Sequence, residues 1–179
     1  MRTPWPLFAM VAIGCAAGPL QDKPAMKLDL ETTTTLEKNG PHVSASLRNA
    51  GRETVTVLLE PQLSNTHARL KDDAGKLLEA HDARAAQGSR FFQFGKIRVR
   101  VLRPGEAVEV DAFWLDPSIR RAGAGDLSWD LTDVRSATLT LEMIYVVTEE
   151  GARDAKALGA PDVAVGTWTS KPVTLRFRP

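Results

Sequence analysis

From residue 26 onward, apolar and polar residues alternate with a period of two, and long stretches of helical period are scarce. Met26 to Leu30 opens an extended segment that runs into the β-branched Thr32 to Thr35. Val43, Ala45 and Leu47 alternate with Ser44, Ser46 and Arg48. After Asn49-Ala50-Gly51, Val55, Val57 and Leu59 are interleaved with Thr54, Thr56 and Leu58. This pair predicts a hairpin whose apolar faces meet one core. A shorter hairpin is predicted from Ala68 and Leu70, through Asp72-Asp73-Ala74-Gly75, to Leu77-Leu78. Ile97, Val99 and Val101 alternate with Lys96, Arg98 and Arg100 and stop at Arg103-Pro104-Gly105, where proline fixes φ and glycine permits the turn. Val108, Val110, Ala112 and Trp114 form the next apolar face. Leu139, Leu141, Met143, Tyr145 and Val147 form the longest, and Trp168, Val173, Leu175 and Phe177 close the chain.

Seven or eight short strands joined by turns rich in Gly, Pro and Asp predict an all-β fold, an antiparallel β-sandwich rather than an α/β arrangement. Alternation alone leaves a closed barrel open as the other way to arrange the strands. Two longer irregular loops interrupt the pattern, His81 to Ser89 and Glu149 to Gly166, the second with a brief helix over Ala152 to Leu158. No internal repeat is present, and residues 26–179 form one domain.

The first 25 residues follow a different grammar. Arg2 places a positive charge beside the initiator amine, Trp5 to Ile13 is apolar apart from Pro6, and the small Gly14 precedes Cys15, the only cysteine. This is the layout of an export signal. The apolar run falls well short of the roughly 20 residues that cross a bilayer as a helix. Ala12-Ile13-Gly14-Cys15 resembles the lipobox of bacterial lipoproteins, with Ala12 where a larger aliphatic residue is usual. The resemblance implies cleavage before Cys15, acylation of its thiol and a membrane anchor. It also makes residues 1–14 a signal peptide and residues 15–25, with Pro19 and Pro24, a tether. Ala16 in place of an aspartate fits an outer-membrane destination. Several acyl chains anchor stably, at about 0.8 kcal/mol per buried methylene, where one chain is marginal.

Removing the leader changes the charge picture. With Arg2 gone, 22 of the 23 basic side chains remain against 22 acidic ones, so the mature chain is side-chain neutral and nucleic acid is not an expected partner. With a single cysteine no intrachain disulfide can form, and stability rests on packing and backbone pairing. In a bacterial envelope setting the chain would also work away from cytosolic ATP and nicotinamide pools.

Leu47-Arg48-Asn49-Ala50-Gly51, Leu102-Arg103-Pro104-Gly105-Glu106 and Trp168-Thr169-Ser170-Lys171-Pro172-Val173-Thr174-Leu175 resemble the strand-and-turn grammar of immunoglobulin-like β-sandwich modules in bacterial envelope proteins. The likeness covers about Lys27 to Arg178. It implies a fold and carries over no active-site residue.

Catalytic signals are sparse. His42, His67 and His81 form no His-x-His, His-Glu-x-x-His or His-x₃-His pair, so a zinc site needs convergence across separate strands. Asp72-Asp73-Ala74-Gly75-Lys76 lacks the alternating oxygen ligands of a calcium loop and reads as a tight turn. Asp126, Asp130 and Asp133 around Trp129 match no calcium spacing. Gly-x-Ser-x-Gly, Ser-x-x-Lys and a phosphate-cradling glycine loop are all missing. No cofactor or metal is expected, and the balance falls toward binding rather than catalysis.

The contact candidates are Lys96, Arg98 and Arg100, which share one face of an extended strand about 6.6 Å apart. Phe91, Phe92 and Phe94 form an apolar complement, and Arg84, Arg120 and Arg121 extend the patch if the fold brings them together. Such a surface suits an envelope protein or an anionic polymer. Trp114, Trp129 and Trp168 are expected in the core, and a sugar-binding groove would need aromatics exposed on one surface. The expected function is a lipid-anchored, non-catalytic binding or structural protein of the bacterial envelope. The alternatives are a hydrolase with a metal site assembled from distant loops around His67 and His81, and an inhibitor-like sandwich presenting residues 149–166 to a protease.

Overall fold

The computed structural model describes residues 27–59, 64–82 and 98–177, and the chain is nearly all β within them. The strands are β1 (Leu28–Glu37), β2 (Gly40–Asn49), β3 (Val55–Leu58), β4 (Ser64–Lys71), β5 (His81–Asp82), β6 (Val99–Leu102), β7 (Ala107–Asp116), β8 (Arg121–Ala124), β9 (Leu127–Asp130), β10 (Thr138–Val147), β11 (Gly166–Thr169) and β12 (Val173–Arg176). Twelve strands replace the expected seven or eight: the terminal segment divides into β11 and β12, and β5, β8 and β9 form where no strand is predicted, β5 within the expected 81–89 loop.

Six strands form one sheet in the order β1-β2-β7-β8-β9-β5. In a second sheet β10 is central, with β4 along one edge and β12 and β11 in succession along the other. β3 and β6 make a separate two-stranded ladder. Every pairing is antiparallel, and the sheets pack face to face as an all-β sandwich. A single core lies between them, with Val43, Leu47, Phe113, Leu115 and Trp129 from the first sheet against Leu70, Leu139, Leu141, Tyr145 and Leu175 from the second. β11 and β12 are separated by Ser170-Lys171-Pro172, and Pro172 has no N–H to donate. Ser170 bridges the gap: its N–H donates to Met143 O (2.8 Å), and its buried hydroxyl accepts from Met143 N–H (3.0 Å).

The predicted β2–β3 hairpin does not form. β2 pairs with β1 and β7, while β3 pairs with β6 in a different ladder. The chain changes sheet at Asn49, which is fully buried. Its Nδ2 donates to Glu53 O (2.7 Å) and Leu102 O (3.0 Å), and its Oδ1 accepts from Gly51 N–H (3.0 Å). Its own backbone N–H donates to Glu106 O, and its carbonyl accepts from Gly105 N–H. The amide side chain thus joins the end of β2 to the approach to β3 and the end of β6, while the Asn49 backbone holds the β6–β7 turn.

The second predicted hairpin is reduced to one bridge, Lys71 with Leu77, around a tight turn in which Gly75 N–H donates to Asp72 O and Lys76 N–H to Asp72 Oδ1. The helix in the 149–166 stretch, α1 (Glu149–Ala157), begins three residues before its predicted start. Thr148 caps it, accepting from Gly151 N–H (3.0 Å), and Glu149 and Glu150 sit in the first turn where the helix dipole favours negative charge.

The predicted apolar face of β7 is also corrected. The β2–β7 register shifts between Ala45 and Ser46: Ala45 lies opposite Asp111 and Ser46 opposite Glu109, so Val110 is an extra residue. A bulge of one residue exchanges the two faces of a strand. Val108 therefore packs against the core on one side of it, Phe113 and Leu115 are buried on the other, and Trp114 turns outward, 42% exposed. On β6 the expected core residue Val101 is 52% exposed, and Leu102 is buried instead.

Candidate functional site

The bulge at Val110 creates the most distinctive surface among the described residues. Cross-strand partners in an antiparallel sheet share a face, and here the register lines up Thr35, His42, Trp114, Gly123, Ser128 and His81 across all six strands. These are the positions pointing away from the core. Trp114 sits near the middle. A Cβ built on Gly123 would lie 2.7 Å from Cε2, Cζ2 and Nε1 of Trp114 at once. The edge of the indole made by Nε1, Cε2 and Cζ2 therefore rests against the glycine. Any side chain at 123 would push the ring off the sheet.

Next to this row is a second one, Asp116-Arg121-Asp130, also in cross-strand register. The two aspartates end their strands in matching turns. Asp116 Oδ1 accepts from Ser118 N–H (2.9 Å) and Ser118 Oγ (2.5 Å), and Asp130 Oδ1 accepts from Thr132 N–H (3.0 Å) and Thr132 Oγ1 (2.6 Å). All four bonds end on Oδ1. The Ser118 hydroxyl holds Asp116 below the ordinary carboxyl value of 3.8, and the Thr132 hydroxyl and N–H, with Arg121 and Arg120 nearby, do the same for Asp130. A depression of about 610 Å³ opens beside the ring, lined by Trp114, Glu79, His81, Arg121, Ser128 and Asp130 among others.

The lowered carboxyls make a pH prediction. A depressed folded-state pKa contributes stability that is present above the unfolded value and lost as pH falls through the folded one. Asp130 is exposed and Asp116 only half-buried, so solvent screening keeps the effect on stability small, and titration is the better readout. In carboxyl-carbon NMR, Asp116 and Asp130 should titrate below 3.8. Ser118→Ala should raise the midpoint of the first alone and Thr132→Ala that of the second alone. Unchanged midpoints in both variants would show that the hydroxyls do not set them.

Of the sequence-derived contact residues, Arg98 and Arg100 are exposed at and beside β6. Phe91, Phe92, Phe94, Lys96 and Arg84 lie outside the described residues, as does Cys15. Arg120 is a framework residue: its guanidinium donates to Leu131 O (3.2 Å) and Val134 O (2.7 Å) and stacks over the Phe177 ring at 5.6 Å. Arg121 instead belongs to the outer face. Trp129 is buried as expected, Trp168 is partly buried against Tyr145 with centroids 5.7 Å apart, and Trp114 departs from the expectation.

The three histidines do not come together. His42 and His81 share the outer row but are four strand steps apart, roughly 19 Å at about 4.8 Å per step. His67 is on β4, in the other sheet. Among the described residues no three His, Cys, Asp or Glu side chains are grouped to hold a metal ion. The outer face was missed from sequence because its central tryptophan falls in step with Val108 and Val110 until the bulge is known. The repeated Asp-x-Ser/Thr, at Asp116-Pro117-Ser118 and Asp130-Leu131-Thr132, was the available signal for two similarly built strand ends.

The architecture and this face together define an antiparallel β-sandwich with an open, polar-rimmed aromatic surface on its larger sheet. No protein-family model matches the chain, and no curated protein is found to be similar to it.

Proposed function

We propose that this chain is a lipid-anchored protein of the bacterial cell envelope, held to the outer membrane through acylated Cys15, with a non-catalytic binding role. The observation that carries the binding role is Trp114, an indole laid open on the outer face instead of packed in the core. Leaving a large aromatic surface in water forgoes its burial free energy, and exposed aromatics beside hydrogen-bonding groups are typical of contact sites. The leader carries the anchor, through Arg2, the apolar run and Ala12-Ile13-Gly14-Cys15. The tether of residues 15–25 leads into β1, an edge of the same six-stranded sheet. Exposed Arg98 and Arg100, with Lys96, Phe91, Phe92 and Phe94, form a second contact region suited to an envelope protein or anionic polymer.

Crosslinking in intact cells tests the binding role. A benzophenone amino acid replacing Ser128 of the anchored chain should give discrete adducts with an envelope component. Trp114→Ala should reduce them several-fold, while the same probe at Leu158, exposed beyond the end of α1, should give few. No adducts from position 128, or equal yields from both positions, would remove the outer face as the contact surface.

A further inference from the structure

We infer that the outer face of the six-stranded sheet binds a glycan chain, with Trp114 stacking on a pyranose ring and Arg121, Asp116 and Asp130 hydrogen-bonding its hydroxyls. This rests on the proposed binding role of the same face and specifies the class of ligand.

Three features point to a saccharide. The first is the ring's posture. Gly123 lets the Nε1–Cε2–Cζ2 edge of the indole settle against the sheet, and Trp114 keeps 42% of its surface in solvent. What the ring leaves in solvent is apolar π-surface, which suits the C–H face of a pyranose whose hydroxyls lie around its edge.

The second is the charge pattern. Arg121 lies between two carboxylates in cross-strand register, and Glu79 lines the same depression. A polyanion would meet the carboxylates and a polycation the guanidinium, since like charges brought together disfavour binding. A neutral polyhydroxylated chain meets neither penalty. Each sugar hydroxyl both donates and accepts, so it can serve a carboxylate oxygen and a guanidinium N–H together, and hydrogen bonds to charged partners are the stronger kind. Asp116 and Asp130 are anchored through Oδ1 by Ser118 and Thr132, and none of those four bonds uses Oδ2.

The third is shape. Trp114 is the only large apolar residue in the register row, and a protein interface normally centres on a cluster of buried apolar anchors. Here one apolar plane sits among polar groups, beside a depression of about 610 Å³. The row spans six strands, roughly 24 Å, so it offers a track for several linked sugars rather than a closed pocket for one.

The test uses the acylated mature protein in detergent, titrated calorimetrically with chitohexaose, cellohexaose, xylohexaose and muramidase-solubilised peptidoglycan strands. At least one probe should bind saturably. Trp114→Ala should weaken that binding at least tenfold and Arg121→Ala severalfold, whereas Arg98→Ala/Arg100→Ala should leave it unchanged. Both test positions are exposed, and an unaltered unfolding midpoint in either variant separates lost binding from lost fold. Absence of binding to all four probes overturns the inference, as does binding indifferent to both variants. If no glycan binds while position 128 still crosslinks a protein in a Trp114-dependent way, the ligand class is wrong and the contact face stands. If neither occurs, both readings fall.

Discussion

Trp129→Ala should lower the unfolding free energy by about 3–5 kcal/mol, the range for removing a large buried aromatic when the structure relaxes only partly into the cavity. Trp129 is 1% exposed, packs against Phe113 with ring centroids 6.0 Å apart, and faces Ala122 across the β8–β9 ladder. Its Nε1–H also donates to Leu78 O (3.3 Å), holding the segment that leads into β5. The loss should therefore be both global and local. Denaturant unfolding should show a lower midpoint with little change in slope. Amides at the β5 edge should exchange faster than those of β2. Trp129→Phe should recover much of the packing but not the bond to Leu78. A Trp129→Ala variant within about 1 kcal/mol of the parent would mean that the sheet closes around the gap.

Asn49→Leu should cost a comparable amount, on the order of 3 kcal/mol, for a different reason. The side chains are similar in size, so little packing is lost. What disappears is the partner of the buried Leu102 O, where an unpaired polar group costs about 1–3 kcal/mol, together with the part-buried bonds to Glu53 O and Gly51 N–H, which water can replace only in part. Asn49→Asp should be at least as damaging near neutral pH, because it sets a carboxylate against two carbonyl oxygens. The two substitutions share one diagnostic: amides of β3 and β6 should lose exchange protection before those of β10. If Asn49→Leu unfolds at the parent's midpoint, water reaches the corner and the three bonds are dispensable.

These two residues also show what was legible in the sequence. Period-two alternation carried the all-β class, because a strand with one buried face must repeat every second residue. Val43-Ala45-Leu47 and Leu139-Leu141-Met143 occupy the core as read. Alternation does not say which strands become neighbours. At Asn49-Ala50-Gly51 the local signal was a turn, and nothing local showed that a buried amide sends the chain into another ladder. The outer face was hidden for a related reason. In Val108-Glu109-Val110-Asp111-Ala112-Phe113-Trp114-Leu115 both phases contain apolar residues, and the phase seen from the N-terminal end puts Trp114 inside. The extra residue at Val110 reverses it, and that residue is defined only by pairing with β2. Arg120 and Arg121 make the same point: adjacent cations, one bonded to Leu131 and Val134 carbonyls and stacked over Phe177, the other in the outer rows.

The proposed anchor and the proposed face belong to one account. An acylated Cys15 would confine the domain to a membrane surface, and an open sheet face with one exposed indole is suited to modest individual contacts that such confinement makes effective by raising local concentration. Acylation is the part on which the location depends. The most direct measurement is mass spectrometry of the N-terminal peptide from membrane-extracted protein, paired with metabolic labelling by an alkynyl fatty acid. The account expects a mature chain beginning at Cys15 and carrying acyl groups, with Cys15→Ser abolishing the label and releasing the domain from the membrane fraction. A mature chain that begins elsewhere, or a label that persists in Cys15→Ser, would contradict it.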